Sequence, residues 1–161
     1  MTFRIAQESD RVSVRRMIVE SFEPITWMKQ ADELYGPFNG LDWRERFGRR
    51  VDPLLERGVV LLGEESGVIQ AAAAGSYDSA AGTGVIDFLA VDPQFQGRGA
   101  GRAMLDGMLR HLASLGATTA TLECLTTNET ALGLYRSSGW HEIATSIRFF
   151  RRLDGILEEI P

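Results

Sequence analysis

The chain has 161 residues and a formal charge of −5, and 44% of its residues are hydrophobic. That is one domain's worth of sequence (1–161) with enough apolar content for a core, and its acidic balance speaks against a general nucleic-acid surface. No apolar run reaches the roughly 18 residues of a membrane span, and one cysteine excludes an internal disulfide and a cysteine-rich metal site. With no apolar leader behind Met1-Thr2-Phe3-Arg4, the expectation is a cytoplasmic protein with no membrane, nucleic-acid or metal partner.

In chain order, Phe3-Arg4-Ile5 reads as a short strand, and Glu8-Ser9-Asp10 as turn and cap material. Val12, Met17, Ile18 and Phe22 then follow at helical spacing. Residues 23–41 are irregular, broken by Pro24, Gly36, Pro37 and Gly40 into at most short helices. A further helix fits 43–55, with Pro53 an awkward member. Strands are expected over 59–62 and 68–74, with Glu64-Glu65-Ser66-Gly67 as a hairpin-like turn and a small-residue loop over 76–84. The apolar run Ile86–Val91 is the next strand. Simple alternation puts Asp87, Leu89 and Val91 on one face and Ile86, Phe88 and Ala90 on the other.

This strand ends at Asp92-Pro93 and runs into glycines at alternate positions, Gly97, Gly99 and Gly101, with Arg98 and Arg102 among them. The apolar pattern Met104, Leu105, Met108, Leu109, Leu112 then marks a helix. Glycine lets backbone N–H groups approach a ligand closely, and a helix start adds unpaired donors and the positive end of a dipole. The combination suits a pyrophosphate. A Walker loop requires Lys-Ser/Thr after its last glycine, where Arg102-Ala103 stand, and a dinucleotide fingerprint requires a different last glycine interval. On the glycines alone, a phosphate site and a merely tight strand-to-helix connection both remain open.

Leu115-Gly116-Ala117 closes that helix, and 118–125 reads as a strand. A helix fits 128–138, stopped by Gly139; 141–150 has β character, and 155–160 suits a short last strand. The element order predicts a mixed α/β fold with one central twisted sheet and helices on its faces.

The stretch Gln96-Gly97-Arg98-Gly99-Ala100-Gly101 resembles the Gln/Arg-x-x-Gly-x-Gly/Ala acetyl-CoA signature of the GNAT N-acetyltransferase superfamily. Leu89-Ala90-Val91-Asp92-Pro93 is similar to the end of that family's fourth strand. Leu122-Glu123-Cys124, Asn128, Ala131, Leu134-Tyr135 and Ser138-Gly139-Trp140 resemble its fifth strand, next helix and following turn. The resemblance implies a mostly antiparallel sheet whose fourth and fifth strands splay, helices on both faces, and acetyl-CoA as co-substrate. It maps the pyrophosphate onto the N–H groups of Gln96, Gly97, Arg98, Gly99, Ala100 and Gly101. It maps the pantetheine arm onto the edge Leu89-Ala90-Val91, chiefly the backbone of Leu89 and Val91. Asn128 would bond that arm, serve as a helix cap, or do both. Arg98 and Arg102 either assist the phosphates or are ordinary solvent arginines.

The resemblance also places Tyr135 near the coenzyme sulfur as the leading general acid. A phenol with a reference pKa near 10 keeps its proton at neutral pH and can donate it. For the general base, Glu123 leads and Asp87 is the rival, with neither as the third reading. The reaction implied is direct attack by a primary amine in a ternary complex, a small-molecule acceptor being favoured over a peptide or protein amine. A non-catalytic acetyl-CoA-binding module is the alternative, and a homodimer stays open. Cys124 among apolar neighbours reads as inert, and His111 and His141 do not make a metal site. Trp27, Met28, Tyr35, Phe38 and Trp43 form either an acceptor wall or a peripheral core. Glu23, Asp32 and Glu33 among them could attract a cationic amine.

Overall fold

The computed structural model describes residues 1–56 and 60–153. Strands β1 (Thr2–Ile5), β2 (Val60–Glu65), β3 (Val68–Asp78), β4 (Thr83–Val91) and β5 (Thr119–Leu122) lie side by side in that order in one sheet. Neighbours from β1 to β4 are antiparallel, and β4 and β5 are parallel. A parallel pair needs a crossover, which α4 (Ala100–Ser114) supplies. Helices α1 (Arg11–Phe22), α2 (Trp27–Tyr35) and α3 (Trp43–Glu56) stand between β1 and β2, and α5 (Glu129–Ser137) follows β5.

The sheet separates two cores. On one face Val14, Ile18, Trp43, Phe47 and Val51 pack on Val60, Leu62, Ala72, Ala74, Phe88 and Ala90. On the other, Met104, Leu105, Met108 and Leu112 of α4 pack on Leu61, Ala71, Ala73 and Ile86. Strand alternation explains the sorting in β2 and β3. In β4 it fails at one point: Ile86 faces α4, whereas Phe88 and Ala90 face α1 and α3. Ala74 pairs with Phe88 but Gly75 pairs with Ile86, so Asp87 is the extra residue of a bulge. The simple alternation expected for this strand is therefore wrong, and Ile86 shares its face with Leu89 and Val91.

Other differences have local causes. The helix α2 is a full nine residues, begun by Thr26, whose side chain accepts a hydrogen bond from the Met28 N–H, and ended at Gly36 with φ +75°. Its cap signals were present in the sequence. The helix α3 runs through Pro53 to Glu56. The β2–β3 turn narrows to Ser66-Gly67, both with positive φ, as a two-residue hairpin favours. Pairing continues through Asp78 and Thr83, which shortens the expected 76–84 loop to four residues, where Asp78 accepts from the N–H groups of Ala80 and Ala81. The strand β5 has four residues rather than the eight expected.

The segment 141–150 forms no strand; its side chains at 148 and 150 lie against Trp27 and Tyr35 of α2 rather than on the sheet. The strand expected over 155–160, and position 59 of the earlier one, lie outside the described residues.

Helix α4 sits close to the sheet because glycines remove side chains at the contacts. A Cβ on Gly107 would lie 2.5 Å from the Phe3 ring, and one on Gly84 2.8 Å from Leu112. At Gly75, opposite the bulge, a Cβ would meet Met108 and stand 2.5 Å from the Val85 carbonyl oxygen. Backbone cannot step aside as a side-chain tip can. Gly75→Ala is expected to cost about 1–3 kcal/mol in urea unfolding, as an overpacked core position does. Gly133→Ala in α5, where a Cβ would meet nothing within 4 Å, is expected to stabilise by about 0.5–1 kcal/mol.

Candidate active site

The strands β4 and β5 pair only from Thr83 to Ile86 on one and Thr119 to Leu122 on the other. Beyond that point β4 continues to Val91 without β5 beside it. The bulge at Asp87 sits where the two part, and bulges bend and twist the strand that carries them. The expected splay is present.

Backbone direction along this free edge follows from one bond. The Asp92 N–H donates to the Gln70 carbonyl, toward β3. Successive residues of a strand turn their N–H and C=O groups to opposite sides, so Ala90 also faces β3. Leu89 and Val91 therefore present theirs to the splay, and the Val91 carbonyl accepts from Gln96 Nε2 at 3.1 Å. Ala90, buried on the α1 face, is not brought to that edge.

The turn behind it is built by Asp92, whose carboxylate accepts from the Gln94 N–H at 2.9 Å, and by Gly97 and Gly99 with φ of +73° and +86°. Those values are left-handed, where a Cβ is strained. Above both glycines the space is open, with nothing within 4 Å of an added Cβ. The Phe95 N–H bonds Asp92, and the Ala103 N–H bonds Gly99. Between them the backbone N–H groups carry no hydrogen bond among the described residues. Helix α4 begins at Ala100, so these donors stand at the positive end of a fifteen-residue helix.

The two arginines of the turn differ. Arg102 is held by α5: its guanidinium donates to Ser138 Oγ at 2.9 Å, to the Ser137 carbonyl and to Ser137 Oγ. Arg98 is exposed and makes no ion pair among the described residues. A Cβ on Gly101 would touch both Val91 and Leu134, so the end of β4, the first turn of α4 and α5 meet there.

One residue past Leu134, Tyr135 is half-buried against the α4 core, with the Trp140 ring edge-on at 6.1 Å. Burial, with a smaller contribution from nearby Cys124, pushes the Tyr135 phenol up to about 12. Cys124 makes a bond only to the Leu125 carbonyl at 3.5 Å, and burial pushes its thiol up as well, which fits an inert residue. Asn128 caps α5, its side-chain oxygen accepting from the Ala131 N–H at 3.2 Å. Glu123 is exposed one residue beyond the end of β5 rather than within the strand, and Asp87 is exposed on the bulge. His111 lies in the last turn of α4, His141 is exposed, and the described residues hold no cluster of three metal-ligating side chains.

On the α1 face, the acids near the aromatic stretch are already engaged. Glu23 bonds Lys29 at 3.2 Å and Arg44 at 2.8 Å, and the Lys29 ammonium holds its carboxyl below the usual range. Asp32 pairs with Arg46. Only Glu33 is exposed and without an ion pair among the described residues. Trp43 and Met28 are core residues, whereas Trp27, Tyr35 and Phe38 keep exposed surface. Their open faces were not readable from spacing.

A family model described as the acetyltransferase (GNAT) family matches residues 22–140. The chain belongs to the GNAT acetyltransferase family. Among curated relatives, it is 36% identical over 67 residues to the [ribosomal protein bS18]-alanine N-acetyltransferase of Escherichia coli, covering 42% of this chain and 45% of that protein. The chain thus spans about half the length of the curated relatives it matches there. A longer match, 28% identical and covering 86% of this chain and 64% of the other, is to an aminoglycoside 2′-N-acetyltransferase of Mycolicibacterium fortuitum. A GNAT acetyltransferase from Brucella melitensis, solved in complex with acetyl-CoA, shares the fold at a TM-score of 0.61 and 22% identity, over 88% and 82% of the two chains. Among the described residues no helix is long and apolar enough to cross a membrane.

The raised Tyr135 pKa is directly measurable. In an ultraviolet titration of the three tyrosines, one is expected to ionise near 12 rather than near 10, and Tyr135→Phe should remove that late step. Since the unfolded tyrosine loses its proton first, stability should be unaffected below pH 10 and fall as pH rises from about 10 to about 12.

Proposed function

We propose that this chain transfers an acetyl group from acetyl-CoA to a primary amine, by direct attack in a ternary complex. The observation that carries the reading is the free edge Leu89–Val91 leading into the open, left-handed turn at Gly97 and Gly99. An extended ligand with amides and a pyrophosphate fits this donor set: a strand edge for the amides, then unpaired N–H groups at a helix start. Acetyl-CoA supplies an activated thioester there.

In this reading the backbone of Leu89 and Val91 holds the pantetheine arm and offers an N–H to the reacting carbonyl oxygen. The N–H groups from Gln96 to Gly101 hold the pyrophosphate, and Arg98 adds charge. Gln96 acts by its backbone, since its side chain is spent on Val91, and Arg102 acts indirectly by docking α5 onto α4. Asn128 keeps its amide nitrogen for the arm while its oxygen caps the helix. Tyr135 gives its proton to the departing thiolate. A phenol whose pKa is raised to about 12 keeps its proton across the neutral range, so it can hold a hydrogen bond to the sulfur as negative charge develops there, although the raised value also makes it a weaker acid. Glu123 and Asp87 remain the candidates for accepting the amine proton, directly or through water.

For the acceptor, a small molecule is favoured over a protein N-terminus. The longer relative acts on aminoglycosides, whereas the match to the enzyme named for a ribosomal-protein alanine covers less than half of either chain. The acids Glu23 and Asp32 lend little charge to that choice, because their charges are already compensated.

Incubation with acetyl-CoA and a panel of aminoglycosides, simple amines and N-terminal peptides, following free thiol, tests the reading. Transfer to small amines first is the expected result; tight acetyl-CoA binding without transfer to any acceptor would make the chain a binding module. Tyr135→Phe is expected to lower kcat roughly 10²-fold with little change in acetyl-CoA affinity. Glu123→Gln and Asp87→Asn should be compared across pH. The true base loses the acidic limb of kcat/KM, and a residue that only orients the acceptor keeps it.

A further inference from the structure

The last described residues lie across α2 with a strand's two-residue period. Arg148 sets its guanidinium 4.9 Å from the centre of the Trp27 ring. Phe150 stacks between Tyr35 and Phe38, at 5.4 and 5.2 Å. Arg152 donates to the Tyr35 carbonyl at 3.0 Å and lies 6.0 Å from the Phe38 ring centre. Every second side chain thus points at one aromatic platform, formed by Trp27, Tyr35 and Phe38. Those on the opposite side face water: Ile143, Ile147, Phe149 and Leu153 are 90%, 78%, 89% and 70% exposed.

The platform takes cations repeatedly. Arg46 also lies over Phe38, at 4.4 Å, but it is locked from below by Asp32 and the Met28 carbonyl. Arg148 is different. Among the described residues it has no ion pair or side-chain hydrogen bond, and the Trp27 ring is the one ring it lies over. Among the described residues its segment has no strand pairing, and the contacts that hold 148–152 on α2 and Phe38 are made by its side chains. A guanidinium held only by a ring face occupies a position that another cation can take.

We propose that the aromatic platform is a cation-reading subsite of the acceptor site, and that the C-terminal strap at 148–152 fills it with its own arginines until a cationic acceptor displaces them. This rests on the reading that the α2 segment walls the acceptor site. It adds the ligand chemistry: an acceptor bearing a guanidinium or ammonium group beyond the amine that is acetylated. Recognition then comes from ring faces rather than from acids, consistent with Glu23 and Asp32 being spent on Arg44 and Arg46. It also makes the chain its own competitor.

The test uses the full chain without acetyl-CoA, agmatine as the cationic probe and valeramide as an uncharged control of similar length. The readout is the indole N–H signal of Trp27, assigned by Trp27→Phe. Agmatine should move that signal and valeramide should not. Arg148→Gln should tighten agmatine binding roughly two- to five-fold, the worth of one exposed cation–π contact, and Arg148→Lys should restore the wild-type value. Phe150→Ser, which removes the wedge of the strap, should act in the same direction as Arg148→Gln. Unchanged or weaker binding in both variants, or a Trp27 signal that ignores agmatine, overturns the proposal. Because this readout needs no acetyl transfer, a chain that binds agmatine as expected but acetylates nothing would refute the enzymatic reading alone.

Discussion

A single unmatched residue, Asp87 opposite the Ala74–Gly75 step, sets the shape on which the rest of the molecule depends. Before it, β4 is a central strand with hydrogen-bonding strands on both sides; after it, β5 no longer pairs with it on one side. Buried backbone groups without partners are costly, so a strand edge left open by the fold needs either water or a ligand. The bulge also reverses which face each side chain takes, putting Phe88 and Ala90 into the core beneath α1 and α3 while Leu89 and Val91 lean toward α4. The edge is packed on both faces, although beyond Ile86 it has no strand beside it on that side and, among the described residues, the Val91 carbonyl is met there by the Gln96 side chain. Gly75 makes this geometry feasible, because any side chain there would press on the Val85 carbonyl.

The two faces of the sheet divide the labour. On the α4 face, close helix–sheet contact over Gly84 and Gly107 fixes where the helix begins, and hence where its unpaired N–H groups point. Arg102 then ties α5 to α4 through Ser137 and Ser138, which fixes Tyr135 relative to the same turn. On the other face, ion pairs do the fastening: Arg15 with Asp52 and Arg11 with Glu56 join α1 to α3, and Arg46 with Asp32 joins α3 to α2. Exposed pairs of this kind are each worth little, but the Arg46–Asp32 pair is largely shielded, and breaking it would leave an uncompensated charge. Both faces rest on apolar packing, to which glycine-mediated close contact adds on the α4 side and charge pairing between helices adds on the other.

How much of this was legible follows from the range of each interaction. The turn at Gly97 and Gly99, the cap at Asn128 and the element order as far as α5 were readable, because each depends on residues within a few positions of one another. The GNAT resemblance rested on these local signals, and the fold agrees with it. The bulge was not readable. Nothing around Asp87 distinguishes it from a regular strand residue until its register against Gly75, twelve positions away, is known. Arg102 was open between a phosphate ligand and a solvent arginine, and its docking role was hidden because its serine partners lie thirty-five and thirty-six residues on. Glu23 and Asp32 looked like free charges because their partners Arg44 and Arg46 sit in the next helix. The segment 141–150 had the composition of a strand, yet strand propensity names a conformation and not a partner. Here the segment joins no sheet, and its end at 148–150 lies against α2 and Phe38.

That last point bears on how the proposed acceptor end would work. A strand fixed by a sheet ladder is held at each residue by directional backbone bonds and forms a permanent wall. A segment fixed by Arg148 on Trp27 and Phe150 between Tyr35 and Phe38 is held by contacts that are broad in angle and weak one at a time. Such contacts tolerate exchange, since a ring face accepts any cation of suitable size without requiring a set geometry. The exposed outer row of Ile143, Ile147 and Phe149 points the same way, because no second layer presses the segment down. An acceptor site closed in this manner would discriminate by charge and apolar area more than by shape. The family reading leaves open which amine is acetylated; under the proposal that the platform belongs to the acceptor site, this mode of attachment would favour amines that carry a second positive charge.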